Sequence, residues 1–169
     1  DIRFMYISTD KAYGNAGEHP YKETDPLNGL AVYDASKACA DLVSRTYAAC
    51  DFAPALAVVR PCNIVAPGDL NFGRVVPRTI IPCLRGDRPT LYRTSYLREF
   101  IAVDDACRAI LAVDDLLKQG RAHGEAFNIG SGHQRTLDQV VNAILKFFPG
   151  IEPIWTEPPK LSRVEIPFQ

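Results

Sequence analysis

The residues best suited to proton transfer are Tyr33 and Lys37, which stand four positions apart in the run Tyr-Asp-Ala-Ser-Lys. In a helix this spacing places two side chains on one face, one turn apart. A lysine cation beside a phenol lowers the pKa of the phenol, so that the tyrosine can act as a base near neutral pH. The same spacing also occurs in ordinary amphipathic helices, so the pair needs support from elsewhere in the chain.

A second polar group follows the apolar run Phe4-Met5-Tyr6-Ile7. The continuous apolar character of this run predicts a buried parallel strand. Ligands bind beyond the carboxyl ends of strands in open α/β sheets. The polar residues that come next are therefore candidate catalytic residues, and they are Thr9, Asp10 and Lys11.

Helical and strand patterns alternate along the rest of the chain, as in α/β folds. Pro77 and Pro82 are expected to break or kink one of the helices, and Asp104 is expected to cap another. A capping box at Thr136–Gln139 predicts the start of the last helix. The predicted helices are 33–50, 75–85, 104–118 and 136–148, and the predicted strands are 4–7, 55–59, 89–92 and 126–130.

Composition excludes several classes of function. The 169 residues carry a net charge of -1 with 23% charged residues, so there is no basic surface for nucleic acid. No apolar run approaches the length of a membrane span, and no signal-peptide pattern opens the chain. The five cysteines lack Cys-x-x-Cys spacing and are expected to be reduced core residues of a cytoplasmic protein. The three histidines are scattered along the sequence, so we expect them to be solvated loop residues and do not expect a metal site.

Taken together, these motifs resemble the extended short-chain dehydrogenase/reductases that act on nucleotide sugars, the NAD-dependent epimerase/dehydratase family. The run Thr9-Asp10-Lys11 before Tyr13-Gly14 is most similar to the 4,6-dehydratases of that family. Within them it resembles the CDP-glucose type, which carries lysine where the dTDP-glucose type carries glutamate. The segments Arg60–Asn63, Arg98–Phe100 and Phe127–Gly130 also match family patterns, whereas Val65–Gly68 and Arg93–Tyr96 depart from them.

The resemblance implies the fold class, which is α/β. We expect the C-terminal part of a Rossmann-type doubly wound parallel sheet plus a smaller α/β substrate-binding portion. The Gly-x-Gly-x-x-Gly fingerprint is absent, so the N-terminal dinucleotide-binding half is expected to be missing. The Rossmann part is expected over about 1–65 with a returning strand near 98–118, and the nucleotide-sugar-binding portion over about 66–97 and 119–169.

The resemblance further implies NAD as cofactor and a nucleotide-diphospho-hexose as substrate, converted to a 4-keto-6-deoxy sugar. Tyr33 would be the base at the C4 hydroxyl, with Lys37 holding the phenolate and the nicotinamide ribose, and Thr9 bonding the C4 oxygen. Asp10 would protonate the departing C6 hydroxyl, and Lys11 stands where the C5 base is expected. The other implied residues are Pro61 and Cys62 for the cofactor, and Asn63, Arg74 and Arg98 for the substrate.

Two alternatives stay open. A nucleotide-sugar 4-epimerase would share Tyr33 and Lys37 but would not need the acid and base beside Thr9. The second alternative is an inactive fragment that only binds a sugar nucleotide or a partner chain, and the 169 residues alone are expected to be inactive. The resemblance also implies a homodimer, and neither nucleic acid nor membrane is expected as a partner.

Overall fold

The computed structural model describes residues 2–14, 19–50 and 54–158. The chain divides into two units: the first comprises Asp1–Ile64 and Phe100–Ser131, and the second comprises Val65–Glu99 and Gly132–Gln169. The sequence analysis placed residues 119–131 with the substrate-binding portion. The structure groups them with the first unit, because the strand they contain pairs with the central strand of that unit.

The elements follow one another in the alternating order expected of an α/β chain. The strands within the described residues are β1 (Arg3–Ile7), β2 (Ala55–Pro61), β3 (Asn63–Val65), β4 (Thr90–Tyr92), β5 (Leu97–Ala102), β6 (Ala126–Ile129), β7 (Gln134–Thr136) and β8 (Ile154–Thr156). The helices are α1 (Val32–Ala48), α2 (Val75–Leu84), α3 (Val103–Lys118) and α4 (Leu137–Leu145), and a 3-10 helix covers Asp10–Tyr13.

The first unit is built on a parallel sheet of order β1–β2–β6. Successive residues of β2 point to opposite faces, as in any strand. Ala57 and Val59 belong to one buried cluster with residues of α3, whereas Leu56 and Val58 belong to another with Ala48 of α1. The sheet is therefore covered by one helix on each face, which is the doubly wound arrangement predicted from the sequence.

The first strand is less buried than its sequence predicts. Phe4 is 47% and Ile7 is 41% exposed, although the strand forms the expected parallel ladder with β2. The reason is its position, because β1 lies at the edge of the described sheet and pairs on one side only. An apolar run predicts which side chains a strand can bury. The elements that pack against the strand determine how much of their surface is covered.

His123 has a structural role that its loop position does not predict. Its Nδ1 accepts the backbone N–H of Leu56 at 3.2 Å, and its Nε2 lies 2.9 Å from the carbonyl oxygen of Ala48. A ring with a protonated Nε2 and a free Nδ1 satisfies both contacts. The imidazole thus joins the end of α1 to the start of β2, while the residue stays exposed, as expected of a loop histidine.

In the second unit, β4 and β8 form a parallel pair, while β5 and β7 pair in antiparallel register from Leu97↔Thr136 to Glu99↔Gln134. Helix α2 packs against α4 and β4. The capping box at the start of α4 is confirmed, because Thr136 and Gln139 exchange both bonds. The two ends of β5 belong to different units, so this strand crosses the boundary between them.

Several local predictions need correction. Helix α2 runs through both prolines, because Pro77 lies in the first turn, where N–H groups have no helical partner, and Pro82 lies two residues before the end. The N-cap of α3 is Ala102, so Asp104 lies inside the first turn. Helix α4 ends at Leu145, before the predicted residue 148. Part of the predicted loop after the 3-10 helix, residues 15–18, lies outside the described residues, as do residues 159–169.

None of the five cysteines, which all lie in the described ranges, forms a disulfide bond, but they are not all core residues as predicted. Cys62 and Cys83 are buried, whereas Cys39 and Cys107 are exposed on helices and Cys50 is intermediate. Within the three described ranges, no cluster of three or more His, Cys, Asp or Glu residues could hold a metal ion. None of the helices in those ranges combines the length and the apolar character needed to cross a membrane.

Candidate active site

The predicted catalytic segment lies at the carboxyl end of β1. The strand ends at Ile7, and Thr9 then caps the 3-10 helix by accepting the backbone N–H of Lys11 on its Oγ1 at 3.3 Å. The same hydroxyl donates to Asp10 Oδ1 at 3.2 Å. The Thr9 side chain thus holds the start of the 3-10 helix and one carboxylate oxygen of Asp10.

Asp10 and Lys11 form an acid–amine pair. Lys11 Nζ lies 3.8 Å from Asp10 Oδ2, and the exposed fractions of the two side chains are only 15% for Lys11 and 18% for Asp10. Charges removed from water in this way interact more strongly than they would at the surface. The two oppositely charged side chains are thus adjacent and largely shielded from water.

Helix α1 brings Lys37 to the same end of the sheet. Lys37 Nζ donates to the carbonyl oxygen of Ile7, the last residue of β1, at 3.0 Å and lies 5.2 Å from the centroid of the Tyr6 ring. Tyr33, one turn earlier on α1, has 52% of its surface exposed. Helix α1 also packs against the 3-10 helix. The structure thus brings Lys37 and the predicted Thr-Asp-Lys run to one strand end, with Tyr33 one turn before Lys37 on the same helix.

The predicted cofactor residues follow β2, the neighbour of β1. Pro61 ends that strand and Cys62 comes directly after it, and both are buried. The backbone N–H of Cys62 donates to the carbonyl oxygen of Ile129 at 2.9 Å. Asn63 begins β3 and is partly exposed. Because parallel strands end at the same edge, these residues lie on the edge that carries Thr9.

Ser8 provides a test of whether this edge fits a polar cofactor. The side chain is only 4% exposed, and its Oγ has no hydrogen-bond partner among the described residues. An unsatisfied buried hydroxyl costs about 1–3 kcal/mol, so such groups usually have a partner. A buried hydroxyl at the end of a parallel strand, one residue after the carbonyl that Lys37 binds, fits a hydroxyl-bearing and phosphate-bearing group such as NAD.

The two predicted substrate arginines belong to the second unit. Arg74 Nη1 lies 3.2 Å from Asp69 Oδ2, and its side chain is 57% exposed. The backbone N–H of Asn71 and the Arg74 guanidinium hold the pKa of Asp69 below its usual value. Arg98 is partly buried, and its guanidinium carbon lies 5.3 Å from the centroid of the Tyr96 ring. Both arginines remain predictions for diphosphate binding.

A cleft of about 590 Å³ opens in the first unit at the carboxyl end of β6 and the start of α3, on the same edge of the sheet as the ends of β1 and β2. It is lined by Asp105, Asn128, Ser131 and neighbouring apolar residues. None of the predicted site residues is among the residues that line it. Size alone therefore does not identify the site in this chain.

The sequence analysis missed a buried network behind the candidate site. Arg60, which is 1% exposed, donates two bonds to Asp41 and one to the Tyr13 hydroxyl. Burial alone would lower the pKa of Arg60, but its bonds to Asp41 and Tyr13 outweigh burial and raise it. An arginine at the end of an apolar strand run was the signal available, since a buried guanidinium needs a carboxylate partner.

Comparison with a family model and with known proteins shows what this chain is similar to. The model of the NAD dependent epimerase/dehydratase family matches residues 1–130. The chain is 35% identical over 151 residues to a low-salt glycan biosynthesis protein of Haloferax volcanii, covering 89% of this chain and 47% of that protein. It is 31% identical over 166 residues to a dTDP-glucose 4,6-dehydratase of Xanthomonas campestris, covering 96% of this chain and 45% of the enzyme.

Solved structures agree with these relatives. A dTDP-glucose 4,6-dehydratase from Bacillus anthracis in complex with NAD matches with a TM-score of 0.77 and 30% identity, covering 90% of this chain and 49% of that one. A UDP-glucose 4-epimerase from Thermotoga maritima matches with a TM-score of 0.80 and 27% identity, covering 94% and 51%.

The chain spans about half the length of the curated relatives it matches. The fold prediction is confirmed, since the structural neighbours are α/β enzymes with a Rossmann-like sheet. The cofactor prediction is confirmed for the family, which is described as NAD dependent and has neighbours crystallised with NAD. This chain belongs to the NAD dependent epimerase/dehydratase family.

Proposed function

We propose that the full-length protein containing this chain is an NAD-dependent nucleotide-sugar 4,6-dehydratase. The observation that carries the proposal is the 3.0 Å bond from Lys37 Nζ to the carbonyl of Ile7. It holds the helix that carries Tyr33 against the strand end that leads into Asp10 and Lys11. A proton-abstracting pair and an acid–amine pair thus share one edge of the sheet, and loss of water from a hexose requires both.

The first pair acts at C4 of the hexose. Tyr33, as phenolate, takes the proton of the C4 hydroxyl, and the Lys37 ammonium stabilises the phenolate charge. Thr9 hydrogen-bonds the C4 oxygen. NAD, when bound, would supply the hydride acceptor for C4 and the hydride donor for C6, so the reaction would have no net redox change. Tyr33, Lys37, Pro61 and Cys62 are the residues that would hold the cofactor.

The second pair acts at C5 and C6. A ketone at C4 acidifies the C5 hydrogen, which Lys11 removes as a neutral amine while Asp10 protonates the departing C6 hydroxyl. A neutral amine beside a carboxylic acid has the same number of protons as the ion pair of the resting structure. The two arrangements differ by one proton transfer between Lys11 Nζ and Asp10 Oδ2, which lie 3.8 Å apart. Lys11 then returns its proton to C5 as the hydride reaches C6. Turnover leaves Asp10 as a carboxylate and the C4 proton on Tyr33, so one proton passes from Tyr33 to Asp10 through solvent before the next cycle.

The substrate is a nucleoside diphosphate hexose, and we propose that Asn63, Arg74 and Arg98 bind it. A planar guanidinium offers two parallel donors to a diphosphate, which suits the two arginines to this role. CDP-glucose is the first candidate, because lysine at position 11 and the run Asp69–Phe72 resemble the CDP-glucose type. The curated relatives named above include the dTDP-glucose type, so both nucleotides belong in the test.

The experiment is to incubate the full-length protein with NAD and CDP-, dTDP-, UDP- and GDP-hexoses, and to identify products by NMR spectroscopy and mass spectrometry. We expect a 4-keto-6-deoxy sugar, formed with loss of one water. A C4-inverted hexose of unchanged mass would instead support a 4-epimerase, the alternative favoured by the structural likeness to an epimerase. If sugar nucleotides bind without any product, the protein is a binding protein and not an enzyme.

A further inference from the structure

A chain of buried hydrogen bonds connects the segment that carries Asp10 and Lys11 to the helix that carries Tyr33 and Lys37. The Tyr13 side chain, at the end of the 3-10 helix, is 4% exposed. Its hydroxyl accepts a bond from Arg60 Nη1 at 2.7 Å and donates one to Asn128 Oδ1 at 2.7 Å. The phenol oxygen therefore acts both as acceptor and as donor, and it links β2 to β6.

Arg60 continues this chain to helix α1. Its Nε and Nη2 donate to the two carboxylate oxygens of Asp41, each at 2.8 Å, and its Nη1 also donates to the carbonyl oxygen of Glu23 at 3.2 Å. Asp41 lies one helical turn beyond Lys37 on α1. One buried guanidinium thus holds both the helix that carries the proton-abstracting pair and, through Tyr13, the segment that carries the acid–amine pair.

The other side of Tyr13 is equally constrained. Its ring stacks on the ring of Tyr21 with centroids 4.7 Å apart and an interplanar angle of 11°. Asn128, which accepts the Tyr13 hydroxyl, donates its side-chain amide to the carbonyl oxygen of Tyr21 at 3.1 Å. Burial raises the pKa of Tyr13 and the bond from Arg60 opposes it, with a net increase. The phenol therefore stays protonated and keeps its role as a donor.

We propose that Tyr13 is a positioning residue for the water-loss step, acting through the 3-10 helix that carries Asp10 and Lys11. The proposal rests on the proposed dehydratase function. A 3-10 helix of four residues has weak hydrogen-bond geometry and cannot fix the directions of its side chains alone. The hydroxyl of Tyr13 anchors the end of this turn to two strands. A catalytic group misplaced by about 1 Å can lose on the order of 100-fold in rate.

The test compares the full-length protein with its Tyr13→Phe variant, using substrates deuterated at C4 or at C5. The substitution keeps the ring and its stack on Tyr21 and removes only the hydroxyl. We expect kcat to fall by about 10- to 100-fold with KM within about twofold, because the lost effect belongs to the transition state. We expect the isotope effect from C5 to rise and the effect from C4 to fall, since removal of the C5 proton becomes the slow step.

Two further variants separate positioning from general loss of structure. Tyr47→Phe also removes a phenol hydroxyl, but from a side chain that is 46% exposed on α1. We expect it to leave both isotope effects unchanged. Asn128→Ala removes the acceptor of the Tyr13 hydroxyl and leaves the tyrosine in place, and it should move the C5 effect in the same direction as Tyr13→Phe.

A double-mutant cycle with Asp10→Asn completes the test. If Tyr13 acts through Asp10, adding Tyr13→Phe to Asp10→Asn should change kcat by less than about twofold, whereas independent effects would multiply. A wild-type protein that forms no 4-keto-6-deoxy sugar would overturn the proposed function itself. An active wild type whose Tyr13→Phe variant keeps both isotope effects, or whose double variant shows multiplied losses, would overturn the positioning role alone.

Discussion

The carboxylate of Asp41 and the guanidinium of Arg60 form a two-bond ion pair in which both side chains are fully buried. The pair joins helix α1 to the central strand β2. Removing one partner of such a pair leaves an uncompensated charge in a medium of low dielectric constant, and this is far worse than replacing both partners by apolar groups. The buried pair therefore holds α1 against β2, and the geometry of the candidate site depends on it.

We predict that Asp41→Asn destabilises the full-length protein by about 3–5 kcal/mol, because Arg60 stays charged and loses its counter-ion. Chemical denaturation followed by circular dichroism measures this change. Asp114→Asn is the matched control, since it removes a carboxylate from an ion pair with Arg3 whose side chains are 36% and 27% exposed. An exposed pair contributes far less. Equal losses from the two substitutions would show that burial of the Asp41–Arg60 pair has no energetic consequence.

Gly14 provides a second prediction about the same region. Its φ is +77°, and a Cβ built on it would lie 2.0 Å from the carbonyl oxygen of Asn28. Gly68 has nearly the same φ, +76°, with no atom within 4 Å of such a Cβ. Gly68→Ala should therefore cost only the left-handed strain of about 1–2 kcal/mol. Gly14→Ala should lower the free energy of unfolding by a further amount of about 1–3 kcal/mol, because the backbone at Asn28 must move away from the new Cβ. Thermal unfolding of the two variants gives the comparison, and indistinguishable midpoints would contradict it.

The Arg3–Asp114 pair predicts an acid-dependent loss of stability. Hydrogen bonds from Arg3 and then from Lys118 lower the pKa of Asp114 from 3.8 to about 2. A carboxyl whose folded pKa is depressed contributes stability above its unfolded pKa and loses that contribution as pH falls through the folded value. The stabilisation that this pair provides should therefore be complete above about pH 4. It should disappear as the pH falls towards about 2. Asp114→Asn should flatten the profile of unfolding free energy in this window, and added salt should do so partly.

Much of the secondary structure could be predicted from sequence because its signals are local. Apolar runs identified β1, β2 and β6, and the Thr136–Gln139 capping box marked the start of α4, since both patterns lie within a few neighbouring residues. The predicted cap at Asp104 failed for the opposite reason. An acidic residue in the first turn and one at the cap look alike in sequence, and only the backbone angles of Ala102 distinguish them.

The candidate site divides in the same way. Tyr33 and Lys37 could be identified from a helical spacing, and Thr9, Asp10 and Lys11 from their place after a strand. The Arg60–Asp41 pair joins residues 19 positions apart, and the Tyr13–Asn128 bond joins residues 115 apart. No periodicity relates such positions, because their proximity is produced by packing of the folded chain. The long-range supports of the site therefore appear only in three dimensions.

The acid–amine pair leads to a prediction about the order of chemical steps. Asp10→Asn removes the proton donor for the C6 hydroxyl but leaves Tyr33 and Lys37 in place. We expect the overall rate to fall by about 10²–10⁴, the usual range for loss of a general acid. Reduced nicotinamide should then accumulate during single turnovers, as its absorbance shows, because oxidation at C4 precedes the blocked step. Asp25→Asn, a substitution of the same kind in the loop before α1, should change neither quantity. Loss of the reduced-nicotinamide signal in Asp10→Asn would contradict this order.

The exposure of Tyr33 permits a clean separation of catalysis from stability. Tyr33 is 52% exposed, so Tyr33→Phe should change the free energy of unfolding by less than about 0.5 kcal/mol. The same substitution removes the proposed base, and kcat should fall by about 10²–10⁴. Tyr47→Phe is the matched control, because Tyr47 lies on the same helix and is 46% exposed. Its activity and stability should both stay close to wild type. If both variants kept full activity, Tyr33 would not be the base, and the alternative that only binds a sugar nucleotide would be favoured.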